Sequence, residues 1–182
     1  MELIAMAGLA GQKGNIEKVE AGMVQNLLRL KVLSVRDIMT PMTVIYSLAE
    51  NLSVAATFKN HLPIKFSRIP LLNQDGRAKQ YLRYIDLLEA HQADGADDRT
   101  LHELAYPLTS VVDSMKVFSA LEIMTESLDK MILVTNEFGH EIGLVTVEDI
   151  LEAITGKAIA DEDDEHASMR DHALQQSKTE QR

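Results

Sequence analysis

Tyr81-Leu82-Arg83-Tyr84-Ile85-Asp86-Leu87-Leu88 and Leu144-Val145-Thr146-Val147-Glu148-Asp149-Ile150-Leu151 are two copies of one pattern, and their correspondence decides the fold. In each, an apolar run passes into helical spacing with an aspartate at the same place, Asp86 or Asp149. Upstream lie the turns Asn73-Gln74-Asp75-Gly76 and Asn136-Glu137-Phe138-Gly139, whose Asn/Asp/Gly chemistry suits a hairpin. Before the turns come the strand-like runs Arg68–Leu72 and Met131–Thr135, and before those Pro41-Met42-Thr43-Val44-Ile45 matches Pro107-Leu108-Thr109-Ser110-Val111. The copies stand 66 residues apart at the prolines and 63 at the aspartates, so a three-residue deletion separates two otherwise parallel β-α-β-β-α units. Two units are too few for a solenoid. They are expected to pack face to face about a pseudo-twofold axis, an α+β fold.

Around this repeat the chain divides into linker helices over 1–34, a first repeat over 35–90, an inter-repeat linker over 91–104, a second repeat over 105–160 and an acidic, polar tail over 161–182. Ile16, Val19, Met23, Leu27 and Leu30 recur at spacings of three and four, which predicts an amphipathic helix docked on a core. His91 to Asp98 is small and polar and reads as a loop. The tail is charged, then polar, with little apolar content, and is expected to be frayed.

With 182 residues, 46% of them hydrophobic, the chain can bury a real core. Its net charge is −10, of which the run Asp161 to Glu165 supplies half, and there is no tryptophan. Without a basic stripe, nucleic acid is a poor partner. There is no cysteine, which excludes disulfides and thiolate metal sites. No apolar run reaches the roughly 18 to 20 residues of a membrane span, and the first residues lack a signal peptide's basic region and apolar core.

Val35-Arg36-Asp37-Ile38-Met39-Thr40-Pro41 and Gly143-Leu144-Val145-Thr146-Val147-Glu148-Asp149-Ile150-Leu151-Glu152 resemble the two ends of the tandem CBS pair in the CorC/CNNM magnesium and cobalt transporter family, whose members also carry DUF21 and haemolysin-like labels. The resemblance covers roughly residues 1 to 165, and Asn26-Leu27-Leu28-Arg29-Leu30 is similar to the helices joining that family's membrane domain to its CBS pair. It implies a Bateman module that forms a disc-like homodimer, binds adenine nucleotide with magnesium and passes its state to a transmembrane domain. The location implied is the cytoplasmic face of the cell membrane. The chain departs from the pattern at Met42, where arginine is common, and at Phe138-Gly139-His140-Glu141, where two glycines are common. After the acidic run there is no room for the C-terminal domain of many bacterial members, so a shorter member or a trimmed chain is expected.

Thr146-Val147-Glu148-Asp149 is in itself a capping box. A helix N-terminus also offers unpaired N–H groups and partial positive charge to an anion. The resemblance makes Thr146 and Asp149 a ribose clamp. It also makes Phe66-Ser67-Arg68 the other half of the site, with Phe66 on the adenine and Arg68 on the phosphates, and adds Thr40 with Ile45 as an apolar wall. A guanidinium grips phosphate well. In the first repeat Arg83 stands where Thr146 stands in the second. It either fills a second pocket or meets the phosphates of a shared ligand; the first is preferred, giving one nucleotide per chain.

The six histidines show no metal-ligand spacing, and the acidic run lacks the glycine loop of a calcium site. No nucleophile elbow or P-loop occurs, so no enzyme is expected. The function expected is a regulatory nucleotide module favouring ATP with magnesium, with ADP and AMP as further candidates. A structural dimerisation module with no ligand is the alternative, and a regulatory part of a soluble enzyme is a third.

Overall fold

The computed structural model describes residues 2–12, 17–93 and 98–156. The acidic tail and part of the inter-repeat linker lie outside the described residues. Helices α1 (Glu2–Gln12), α2 (Lys18–Leu30) and α3 (Val35–Ile38) lead into β1 (Thr40–Pro41) and a 3-10 turn at Met42–Val44. The first unit follows as β2 (Leu48–Ala49), α4 (Val54–His61), β3 (Arg68–Leu72), β4 (Ala78–Arg83) and α5 (Tyr84–Gln92). After a 3-10 turn at Leu101–Leu104 and β5 (Tyr106–Pro107), the second unit repeats the order with β6 (Ser110–Val112), α6 (Val117–Ser127), β7 (Met131–Thr135), β8 (Glu141–Thr146) and α7 (Val147–Thr155).

The two four-stranded sheets exchange a strand. One runs β1-β8-β7-β6 and the other β2-β3-β4-β5, so the short strand ahead of each unit pairs with the last strand of the other. Thr40 and Pro41 lie opposite Leu144 and Gly143, as Tyr106 and Pro107 lie opposite Tyr81 and Gln80. Each hairpin turn is fixed by an asparagine: Asn73 Oδ1 accepts from the N–H groups of Asp75 and Arg77, and Asn136 Oδ1 from those of Phe138 and His140. Gly76 and Gly139 close these turns with φ of 73° and 76°, a region open to glycine.

Pairing places the three-residue offset. Leu48 lies beside Leu71 as Val111 lies beside Val134, so the units are already 63 residues apart at β2 and β6. The extra residues of the first unit therefore fall between Pro41 and Leu48, where the 3-10 turn sits. The match of Ile45 with Val111 is corrected accordingly: Val111 corresponds to Leu48, and Ile45 belongs to the inserted loop. Upstream, the equivalence reaches further than the prolines. Ser34 with Asp37 and Thr100 with Glu103 form the same reciprocal box, and Ser34 bridges Lys116 as Thr100 bridges Ser53. Residues 100–104, read from the sequence as linker, thus match Ser34–Ile38.

Strand alternation sorts the core into three parts. Ile132, Val134 and Val145 face α6 and α7 in a cluster that also takes Leu30, Val35 and Ile38 from the N-terminal helices. Ile69, Leu71 and Leu82 face α4 and α5, joined by Leu101. The inner faces meet in a third cluster, where Met131, Leu133 and Leu144 of the second sheet pack with Ile45, Ala78 and Leu108. Burying both faces of two short sheets in this way requires the two units together.

Candidate functional site

At the end of β8 the chain turns from strand to helix at Thr146, whose φ of −110° and ψ of 167° are those of an N-cap. Asp149 Oδ2 accepts from the Thr146 N–H at 2.7 Å and from its hydroxyl at 2.9 Å, while the Asp149 N–H donates back to Thr146 Oγ1 at 3.3 Å. All of this falls on one carboxylate oxygen. Asp149 as a whole is only 5% exposed, yet its Oδ1 is not among the buried atoms left without a partner.

Asp37 shows what the same box does on the surface. Its Oδ2 accepts from the N–H and hydroxyl of Ser34, both at 2.7 Å, and these bonds hold its carboxyl below its ordinary range. Burial pushes the Asp149 carboxyl the other way, up to about 6, against the two Thr146 hydrogen bonds, and Glu148 and Glu152 add to the rise. Burial disfavours the charged form of a carboxyl even where it accepts hydrogen bonds.

Thr40 lies directly opposite Leu144, two residues before Thr146 on β8. Directly opposed residues share a face, so Thr40, Leu144 and Thr146 all look toward the inter-sheet cluster. Thr40 is buried. The approach of β1 depends on Gly143, where a Cβ would stand 2.5 Å from the Thr40 carbonyl oxygen and 2.9 Å from Met39 Sδ.

Ile45 belongs to the same buried cluster as Leu144 and also lines a cavity of about 430 Å³ together with Tyr46, Ile64, Lys65 and Phe66. The Tyr46 and Phe66 rings are 5.6 Å apart. The Tyr46 hydroxyl is buried with no hydrogen-bond partner among the described residues. Ile45 thus stands both in the cluster of Leu144 and on the wall of the cavity with Phe66, while Thr40, Thr146 and Asp149 do not line that cavity. Ser67 is exposed, and its carbonyl accepts from the Tyr84 N–H at 2.9 Å.

Arg68 is placed differently from Phe66. It lies in register with Arg83 on β3 and β4, so both guanidinium side chains rise from the face that carries Tyr81. Arg83 is held by Asp86 through Nε at 2.6 Å and Nη2 at 2.5 Å, donates to the Tyr106 hydroxyl at 2.6 Å and lies 4.5 Å over that ring. Arg68 has no ion pair among the described residues. At the positions of Thr40 and Thr146 the first half thus has Tyr106 and Arg83, and Asp86 is neutralised from within. Sequence reasoning missed Tyr46, Tyr106 and Gly143; only the glycine had a local signal, since a glycine inside a strand often marks close backbone approach.

The described residues thus offer a cavity walled by Ile45, Tyr46 and Phe66 and, apart from it, a helix N-terminus capped by Thr146 and Asp149, each of a kind that can receive part of a polar ligand. Among the described residues no group of His, Asp or Glu is positioned to hold a metal ion by itself, and no helix is long and apolar enough to cross a membrane.

Residues 103–156 match the CBS domain family. The chain is 30% identical over 165 residues to the magnesium and cobalt efflux protein CorC of Escherichia coli, covering 90% of this chain and 56% of CorC. It is 32% identical over 166 residues to a chloroplastic DUF21 domain-containing protein of Arabidopsis thaliana, covering 90% and 25%. The chain thus spans from a quarter to a little over half the length of these curated relatives. Among solved structures it resembles the CBS domain of the bacterial CNNM/CorC family Mg²⁺ transporter, with 27% identity, a TM-score of 0.79, and coverage of 88% of this chain and 97% of the other. The same domain in complex with ATP matches with 27% identity and a TM-score of 0.70, over 76% and 98%. Sequence and fold agree: residues 103–156 are a CBS domain, and the chain as a whole is similar to the CBS region of the CorC/CNNM and DUF21 proteins.

Proposed function

We propose that the chain is a non-catalytic regulatory module that binds one adenine nucleotide, ATP with magnesium preferred, and forms the cytoplasmic part of a membrane protein that moves magnesium or cobalt. The observation that carries this is Asp149: a largely buried carboxylate that caps its own helix through Oδ2 alone. Ribose hydroxyls would donate to Oδ1, and the base would take the cavity between Ile45 and Phe66. Thr146 and Thr40 would border the sugar, with Ser67 at the exposed rim. Arg68 would meet the phosphates, and magnesium, carried by the nucleotide, would share their charge in an acidic protein. The ATP-bound relative, 27% identical, supports the ligand class, and the name of CorC supports the transport setting.

Two chains would associate as a homodimer. Phe118 on α6 and Leu151 on α7 are exposed apolar side chains that such a pairing would cover. We place the functional units at about 35–90 and 105–160, with the N-terminal helices as the link to a transmembrane domain.

The reading is tested by titration calorimetry of the chain with ATP, ADP and AMP, with and without magnesium. ATP should bind more tightly with magnesium, and Arg68→Ala should weaken ATP more than AMP. The opposing reading is a dimerisation module without ligand, favoured by the way Arg83 closes the first half. Heat signals absent for all three nucleotides would establish it.

A further inference from the structure

We infer that α7 couples the nucleotide site to α2, so that occupancy at Thr146 and Asp149 sets how firmly the N-terminal helix is docked. This rests on the nucleotide reading above and names its regulation.

Helix α7 is nine residues long, about 13 Å at the helical rise, and its two ends do different work. The first turn holds Thr146 and Asp149. At the other end the Ile154 carbonyl accepts a hydrogen bond from Asn26 Nδ2 of α2 at 3.1 Å. Gly156, with a φ of 70°, donates to the Glu152 carbonyl at 2.7 Å and terminates the helix. A Cβ there would lie 3.4 Å from Asn26 Nδ2, so the termination point and the docked helix touch. Midway, Ile150 next to Asp149 shares a buried cluster with Leu30, the last residue of α2. One short rigid element thus contacts both the proposed ligand and the N-terminal helix.

The docking is also weak enough to be adjustable. Within α2 only Ala21 and Leu30 are buried, while Val19, Val24 and Leu27 are exposed. A cavity of about 420 Å³ among Asn26, Arg29, Leu33, Ile38, Glu152 and Ala153 leaves the α2 and α7 surfaces incompletely packed. An element with few buried contacts opens locally at low cost. Restraining α7 from its N-terminus therefore biases whether its C-terminal end keeps hold of α2. Coupling of this kind is reciprocal, so loosening α2 must weaken the nucleotide by the same factor.

The test is hydrogen exchange of the full 182-residue chain with and without ATP and magnesium, with calorimetry alongside. In the wild type, ATP should slow amide exchange in both α7 and residues 24–30 of α2, by about threefold or more for α2. Asn26→Ala and Asn26→Asp, which both remove the donor, should abolish the slowing in α2 and retain it in α7. Although Asn26 lies at the far end of α7 from Thr146, both variants should bind ATP about two- to fivefold more weakly. Protection confined to α7 in the wild type would overturn the inference while leaving the nucleotide reading intact. So would Asn26 variants that free α2 yet bind ATP with wild-type affinity. A wild type that takes up no ATP would remove the nucleotide reading and the coupling with it.

Discussion

Two aspartates in like capping boxes, Asp37 and Asp149, have their acidities shifted in opposite directions because one is in water and the other is not. The consequence for Asp149 can be worked out by linkage. A folded-state value of about 6 against an ordinary 3.8 means that the folded protein holds the proton more tightly. Stability therefore declines as pH rises from about 4 to 6, and at pH 7 the ionised group costs on the order of 3 kcal/mol. Asp149→Asn, which keeps an acceptor for Thr146, should leave the empty protein as stable as the wild type at pH 7 or more so, and should flatten its stability profile between pH 4 and 6. The same change should reduce ATP affinity about tenfold or more through loss of a charge-assisted acceptor. Asp86→Asn should alter affinity little. Urea unfolding across pH and calorimetry check both halves; a destabilised variant with unchanged affinity would mean that Asp149 is only a cap. Wild-type affinity should also fall about tenfold from pH 7.5 to pH 5 as the carboxyl takes up its proton. Asp149→Asn run in parallel separates this from titration of the ATP itself. The Thr146 to Asp149 box was legible in the sequence because it is local. Its burial was not, since that depends on strands far away in the chain, and the same holds for the Tyr46 hydroxyl.

Among the elements, the hairpins and the helices after them were legible because alternation, asparagine-glycine turns and caps are short-range signals. The position of the three-residue insertion was not. Similar side chains led Ile45 onto Val111, whereas hydrogen-bonded pairing puts Leu48 there, and pairing is a property of two strands together. That Arg68 stands opposite Arg83 is likewise visible only in the register. Two changes test element geometry. Gly143→Ala forces a Cβ against the Thr40 carbonyl, so β1 must move; a loss of about 1–3 kcal/mol in urea unfolding is expected, with weakened ATP binding because Thr40 moves too. Helix α6 ends in the opposite situation. Leu128 has a φ of 59° and is 85% exposed, so it bears left-handed strain with little burial in return. Leu128→Gly should stabilise the chain by about 1 kcal/mol, and a lower melting temperature would show that the leucine has a contact to lose.

For the whole molecule, the question is why a fold with two equivalent halves should bind one nucleotide per chain rather than two. The sequence made the halves recognisable, and the swapped strands make them mutually dependent: each site draws one threonine-like position from the strand ahead of one unit and another from the last strand of the other unit. In the second half these are Thr40 and Thr146, small hydroxyls, the latter bonded to Asp149. In the first they are Tyr106 and Arg83, a ring and a guanidinium that stack on each other, the guanidinium alone engaging both oxygens of Asp86. Because Arg83 keeps 41% of its side chain exposed, water screens its ion pair, which adds little to stability. Its larger effect is to occupy the space and the charge that a ribose would need. Calorimetry should accordingly give one ATP per chain for the wild type. Arg83→Thr alone should leave that number at one, since Tyr106 still fills the place of Thr40, while Arg83→Thr combined with Tyr106→Thr should move it toward two. Two sites in the wild type, or a second site opened by Arg83→Thr alone, would show that the ring and the guanidinium do not close the first half together.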